Sequence, residues 1–202
     1  MKSSRQALFP TQWCVAAHTL TLTLKLLVCF LFSIISFLFC LMRAAVFILL
    51  QVCSVGGGGL YIGIVQGLQR HGLVHVPVVA VETIGCDSMC SSVQQQQHVT
   101  LPAITSIATT LGAKKIADKA WQLCRSHPTR CVRVTDAAAV RACHRFLDDH
   151  RVLVEPACGA ALAAIYDAAS ELQGFKCVVV IACGGSTCTA AMLGEWSAKL
   201  GV

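Results

Sequence analysis

The sequence predicts an α/β fold built around a mostly parallel sheet, and three observations carry that prediction. Residues 44–55 and 176–182 are charge-poor runs rich in Val, Ile and Leu, the texture of strands buried on both faces. Between the first of these and a helical stripe stands Gly56-Gly57-Gly58-Gly59-Leu60, a strand-to-helix turn of the kind that opens a βαβ unit. Downstream, segments of helical and strand period alternate to the end of the chain.

In order along the chain, residues 26–42 contain no charge and are dominated by Leu, Phe, Ile and Val, with Lys25 and Arg43 on either side. They read as a short membrane helix with interfacial anchors, within an apolar leader spanning residues 1–45. A spliced or spurious leader is the competing reading. Residues 44–55 form the first strand. Residues 60–71 place apolar side chains at 60, 64, 65 and 68, a helical stripe closed by Gly72. Residues 77–82 make the next strand, and Gln94 to Gln97 a short polar helix or loop. A helix follows over 116–124, a strand over 130–134, and a helix over 136–148 capped by Thr135 or Asp136. Glu155-Pro156 opens a helix expected to run to about Leu172, with small Ala and Gly residues down one side that let it pack close to a sheet. Residues 176–182 are the last strand, residues 183–186 its turn, and 187–200 the last helix.

Composition narrows the function. The chain is 55% hydrophobic and 13% charged, too apolar for disorder. Its net charge of +6 is concentrated in the first 55 residues, which hold Lys2, Arg5, Lys25 and Arg43 and no acid. The remainder carries 12 basic and 10 acidic groups without a basic cluster, so nucleic acid is not an expected partner and a small molecule is. The 13 cysteines are odd in number, scattered through apolar stretches and never spaced Cys-x-x-Cys. That argues against zinc and for small buried hydrophobes of a reducing compartment.

The glycine turn has a chemical reading. Without Cβ atoms its backbone can approach an anion, and the first amides of the next helix point at it, so a phosphorylated cofactor is the expected ligand; a flexible linker or tight turn uses the same residues. In open α/β sheets ligands sit at the carboxyl ends of strands, where residues 56–59, 85–88 and 183–186 all fall.

Four motifs, Ser54-Val-Gly-Gly-Gly-Gly-Leu60, Val81-Glu-Thr-Ile-Gly-Cys-Asp-Ser88, Leu153-Val-Glu-Pro-Ala-Cys-Gly-Ala-Ala-Leu-Ala-Ala164 and Val178-Val-Val-Ile-Ala-Cys-Gly-Gly-Ser186, resemble in order and spacing the L-serine dehydratase and threonine deaminase family. The resemblance covers residues 46–202 and implies the C-terminal part of a tryptophan-synthase-β-like domain that binds pyridoxal 5'-phosphate. It implies that Gly56, Gly57, Gly58, Gly59 and Leu60 hold the phosphate through backbone amides. Cys183, followed by Gly184, then faces the pyridine nitrogen. It implies a monovalent cation, potassium, held by Glu82, Ser88 and the carbonyls of Gly56, Cys86, Leu111 and Ala113, hard oxygen donors such an ion prefers. Glu155 is placed at a helix start, in the favourable field of the macrodipole, with no catalytic role.

By the same resemblance the reaction is β-elimination in amino-acid metabolism, L-serine giving pyruvate and L-threonine 2-oxobutanoate, in a cytoplasmic homodimer. The family's Schiff-base lysine and substrate-carboxylate loop have no counterpart in residues 1–45. Lys114, Lys115, Lys119, Lys176 and Lys199 read as solvated, so the chain alone is expected to be inactive. The other expectation is a membrane-anchored pseudoenzyme that binds a phosphorylated metabolite.

Overall fold

The computed structural model describes residues 49–202. The membrane-helix reading of residues 26–42 and the start of the first strand lie outside them. Among the described residues no helix is long and apolar enough to cross a membrane.

Four strands, β1 (Leu49–Ser54), β2 (Val78–Thr83), β3 (Thr129–Val134) and β4 (Cys177–Val180), form one parallel sheet in the order β3-β2-β1-β4. Six helices connect and follow them: α1 (Gly59–Arg70), α2 (Ser88–Gln95), α3 (Asp118–Ser126), α4 (Asp136–His150), α5 (Pro156–Tyr166) and α6 (Ala190–Leu200). Single 3-10 turns occupy Thr109–Leu111 and Ser170–Leu172.

The period of two along each strand sorts its residues between two cores. Leu50, Val52, Val79, Val81, Val178 and Val180 face a core completed by α4, α5 and Leu193 of α6. Cys53, Val55, Val78, Ala80 and Val179 face the opposite core, with Tyr61, Val65 and Leu68 of α1 and Ala120 and Leu123 of α3. A sheet covered on both faces explains why its strands read as continuous apolar runs.

Several boundaries differ from the sequence reading. The helix expected to reach Leu172 stops at Tyr166, because Ala168 takes a left-handed conformation at φ 50° and the chain resumes as a separate 3-10 turn. Gly159 on that helix makes its closest approach to another helix: a Cβ there would sit 2.3 Å from the Ala139 carbonyl oxygen and 2.5 Å from the Cys143 sulfur. The last helix starts at Ala190, since the Thr189 side chain accepts from the Met192 amide and so caps it. The last strand is shorter than expected, although the Ile181 amide still donates to the Val52 carbonyl at 2.9 Å. The helix expected over 116–124 is displaced to Asp118–Ser126.

Helix α2 has no counterpart in the sequence reading beyond a polar segment at its end. Its amino end is satisfied from a distance. The Glu82 carboxylate, at the end of β2, accepts from the Met89 and Cys90 amides at 2.9 and 2.7 Å, replacing a cap from the preceding residue, Asp87, which makes none.

Candidate functional site

The sheet order makes the site. From β1 the chain proceeds to β2 and β3 on one side, whereas β4 returns on the other, so the order reverses between β1 and β4. Crevices for ligands open at the carboxyl ends of strands at such a reversal. The turn after β1 holds the glycines and the turn after β4 holds Cys183. Because β1 and β4 are parallel with Val52 opposite Val180, both turns leave the same end of neighbouring strands, which lie about 4.8 Å apart.

In the first turn Gly58 adopts φ 93°, a left-handed conformation, and a Cβ there would fall 2.5 Å from the Ala120 Cβ. Gly56 is pressed against Leu111 and the Thr110 carbonyl, at 3.1 and 3.2 Å from where its Cβ would be. Gly57 and Gly59 are exposed, and nothing lies within 4 Å of a Cβ at Gly59. The amino end of α1 has no side-chain cap, and its first backbone bond runs from the Ile62 amide to the Gly58 carbonyl at 2.9 Å. Uncapped amides in an open turn are an anion seat. Leu60 is half-buried in its first turn.

In the second turn Cys183 is exposed, and its thiol hydrogen-bonds to that of Cys158, which is fully buried near the amino end of α5. The hydrogen bond from Cys183, joined by the backbone amides of Gly184 and Cys183, holds the Cys158 thiol below the usual thiol range, while the same bond pushes the Cys183 thiol up. The turn rests on the start of α5: the Glu155 amide donates to the Gly184 carbonyl at 3.2 Å, and a Cβ at Gly185 would meet the Leu153 carbonyl at 2.4 Å.

Glu155 does stand at the start of α5, yet its carboxylate makes no cap to its own helix. It accepts from the Thr110 hydroxyl at 2.9 Å, the Thr187 amide at 3.3 Å and the Thr187 hydroxyl, tying the two walls of the crevice together. Cys158, Thr110 and Thr187 escape a sequence reading because their partners are 25, 45 and 32 residues away. Their only trace in the sequence is that Cys158 follows Glu155-Pro156 by one helical turn.

The oxygen atoms expected around a cation fall into two groups. A Cβ at Gly56 would lie 3.1 Å from the Leu111 Cα and one at Gly57 3.9 Å from the Ala113 Cβ, and the Leu111 carbonyl accepts from the Ala113 amide at 2.7 Å, keeping its second lone pair. Glu82 and Ser88 are buried at the end of β2 and the start of α2; the Ser88 hydroxyl has no partner. Burial pushes the Glu82 carboxyl up to about 7 despite its two amide donors. Cys86 is buried, its thiol 3.8 Å from the Ala108 carbonyl. A second orphaned hydroxyl, on Ser54, is buried immediately before the glycines.

Elsewhere, an apolar cavity of about 580 Å³ lies against Val178 and Val180, with Phe146, Leu162, Tyr166 and Phe175 among its walls. Neither the glycine turn nor Cys183 lines it.

Comparison with known proteins accords with this geometry. A family model described as "Pyridoxal-phosphate dependent enzyme" matches residues 50–184. An L-serine dehydratase/L-threonine deaminase of Bos taurus is 45% identical over 159 residues, covering 75% of this chain and 49% of the relative. A catabolic L-serine/threonine dehydratase of Saccharomyces cerevisiae is 42% identical over 152 residues, covering 71% and 42%. The crystal structure of a fungal L-serine ammonia-lyase from Rhizomucor miehei superposes with a TM-score of 0.77 at 35% identity, over 83% of this chain and 55% of that one. The chain spans about half the length of the curated relatives it matches.

Proposed function

The chain belongs to the family of pyridoxal-phosphate dependent enzymes, and from that premise we propose that residues 46–202, preceded by an apolar leader over 1–45, are the C-terminal part of the cofactor-binding domain of an L-serine/L-threonine ammonia-lyase. The observation that carries this reading is the uncapped glycine turn at the end of β1, beside the turn that bears Cys183. The names of the bovine, yeast and fungal relatives supply the amino-acid substrate class.

Bound pyridoxal phosphate supplies an electron sink for carbanion chemistry at the α-carbon of an amino acid. The chain's own residues supply the seat. The amides of Gly57, Gly58, Gly59 and Leu60 would donate to the phosphate, and α1 would add the positive end of its dipole. Gly56 lets the turn lie flat on Leu111. Cys183, with Gly184, would stand at the ring nitrogen, where a neutral thiol does not hold that nitrogen protonated as a carboxylate does.

Glu82, Ser88 and the carbonyls of Gly56, Cys86, Leu111 and Ala113 would hold a potassium ion; the orphaned Ser88 hydroxyl and the buried carboxyl are the oxygen donors that support this. The acid/base group comes from outside the described residues. Lys114, Lys115, Lys119, Lys176 and Lys199 are all exposed, and the Lys114 ammonium donates to the Pro102 carbonyl at 3.2 Å. The chain alone is therefore inactive, and the intact enzyme is a homodimer.

The test is a titration of the purified chain with pyridoxal phosphate, followed by borohydride reduction and peptide mapping. Saturable binding competed by inorganic phosphate is expected, with no single lysine trapped and no pyruvate formed from L-serine. Binding indifferent to phosphate overturns the phosphate seat; one lysine trapped stoichiometrically overturns the inactivity.

A further inference from the structure

We propose that residues 26–42 of this chain, which lie outside the described residues, are the occupant of the apolar cavity beside β4. They run along the outer edge of β4 as a further strand, antiparallel to it, and fill the cavity with the side chains of Val28, Phe30, Phe32 and Ile34. The assignment is independent of the cofactor seat, since neither the glycine turn nor Cys183 lines that cavity.

The edge and the cavity ask for the same kind of cover. Among the described residues β4 has β1 on one side and no strand on the other. The Ile181 amide donates to the Val52 carbonyl, so alternate residues of β4 bond to β1, and the amides and carbonyls of Val178 and Val180 point outward. The run Val178-Val179-Val180 has neither charge nor proline, which makes its open edge a template for another strand. The same Val178 and Val180 line the cavity of about 580 Å³. Of the cavity's walls, the carboxylate and the guanidinium are already matched. Arg145 lies 3.7 Å from Asp149 and 4.1 Å over the Tyr166 ring, and the Tyr166 hydroxyl donates to Asp149 at 3.1 Å. Neither charge is left for a polar ligand to neutralise, so the occupant is apolar.

The chain itself delivers such a segment. Residues 26–42 carry no charge, and Val28, Phe30, Phe32 and Ile34 stand at every second position, the spacing of one face of a strand. β1 begins at Leu49, opposite Cys177 at the start of β4, so the chain reaches the sheet beside the amino end of β4. The place outside β4 is two strand spacings from β1, about 10 Å, and the linker over 43–48 can reach about 20 Å. A parallel strand there would need a crossover of about a dozen residues or more, so the segment runs antiparallel. A short tether holds it at a local concentration in the millimolar range, which favours it over a second copy of the chain at micromolar concentration.

The experiment uses the full chain. Amide hydrogen exchange is followed residue by residue, and p-benzoylphenylalanine in place of Leu172, in the cavity wall, supplies a photo-cross-link. The Val178 and Val180 amides should exchange at least about a hundredfold more slowly than in an unstructured peptide, and the cross-link should join residue 172 to a peptide from 26–42 of the same chain. Phe32→Asp combined with Ile34→Asp should cut the protection of Val178 and Val180 by at least about tenfold while Val79 and Val81, in the interior strand β2, keep theirs. Unprotected Val178 and Val180 in the unsubstituted chain, cross-links confined to other segments, or protection unchanged by the double substitution overturns the proposal. If the double variant also loses protection at Val79 and Val81, exchange in the unsubstituted chain and the cross-link decide. Cross-links between two copies assign the cavity to a dimer, and flotation with phosphatidylcholine vesicles that shield residues 26–42 from protease assigns the segment to a membrane; either result also overturns it.

Discussion

Gly58 shows how one position can be fixed twice. Its left-handed φ favours glycine, and the space its side chain would need belongs to Ala120. Gly58→Ala should therefore destabilise the chain by about 1–3 kcal/mol and weaken pyridoxal phosphate binding together, which urea unfolding and cofactor titration would read. A gain in either would show that the turn is not built as described. His127 illustrates a different constraint. It is buried after α3 with its Nε2 unpartnered, and burial lowers its pKa. The folded chain then binds less proton here than the unfolded one, so this residue's contribution is complete above the ordinary imidazole value near 6.5 and is lost as pH falls below it. Unfolding free energy measured against pH should decline on the acid side, and His127→Gln should flatten part of that decline.

Among the elements, α4 and α5 are the most tightly joined. Gly159 lies where the Ala139 carbonyl and Cys143 leave no room for a methyl group. Gly159→Ala should cost about 3 kcal/mol by forcing the helices apart, lowering the urea midpoint, whereas Gly63→Ala, on α1 with nothing within 4 Å of a Cβ, should stabilise slightly through helix propensity. If both behave alike, the close packing of α4 on α5 is wrong. The helices also show how unevenly the sequence reveals structure. The period of α1 and a cap for α4 at Thr135 or Asp136 are local and readable from residue types; the structure selects Thr135, which accepts from the Ala138 amide at 3.1 Å. Helix α2 was not, because the group that satisfies its amino end is Glu82, on a strand.

For the whole molecule, ligand binding and folding are linked. A compound bound only by the folded chain raises its stability by mass action, about 2.7 kcal/mol at a hundred times its dissociation constant. Pyridoxal phosphate should accordingly raise the melting temperature, and potassium should raise it further relative to a large organic cation if Glu82 and Ser88 hold an ion. A melting curve unmoved by pyridoxal phosphate at any concentration would count against the seat at 56–60; one unmoved by potassium alone would count only against the cation.

The sequence by itself determined the parallel α/β class, the glycine turn and the presence of the strands, because buried strands, helical stripes and side-chain-free turns are written in residue types over short windows. It also carried the four motifs that mark the family. What it left undetermined was every pairing between distant side chains: Cys158 with Cys183, Glu155 with Thr110 and Thr187, Glu82 with the amides of α2. Those were decided by the tertiary structure, since only the order β3-β2-β1-β4 brings the ends of β1 and β4 side by side, and hydrogen bonds depend on distances in space that spacing along a chain does not encode.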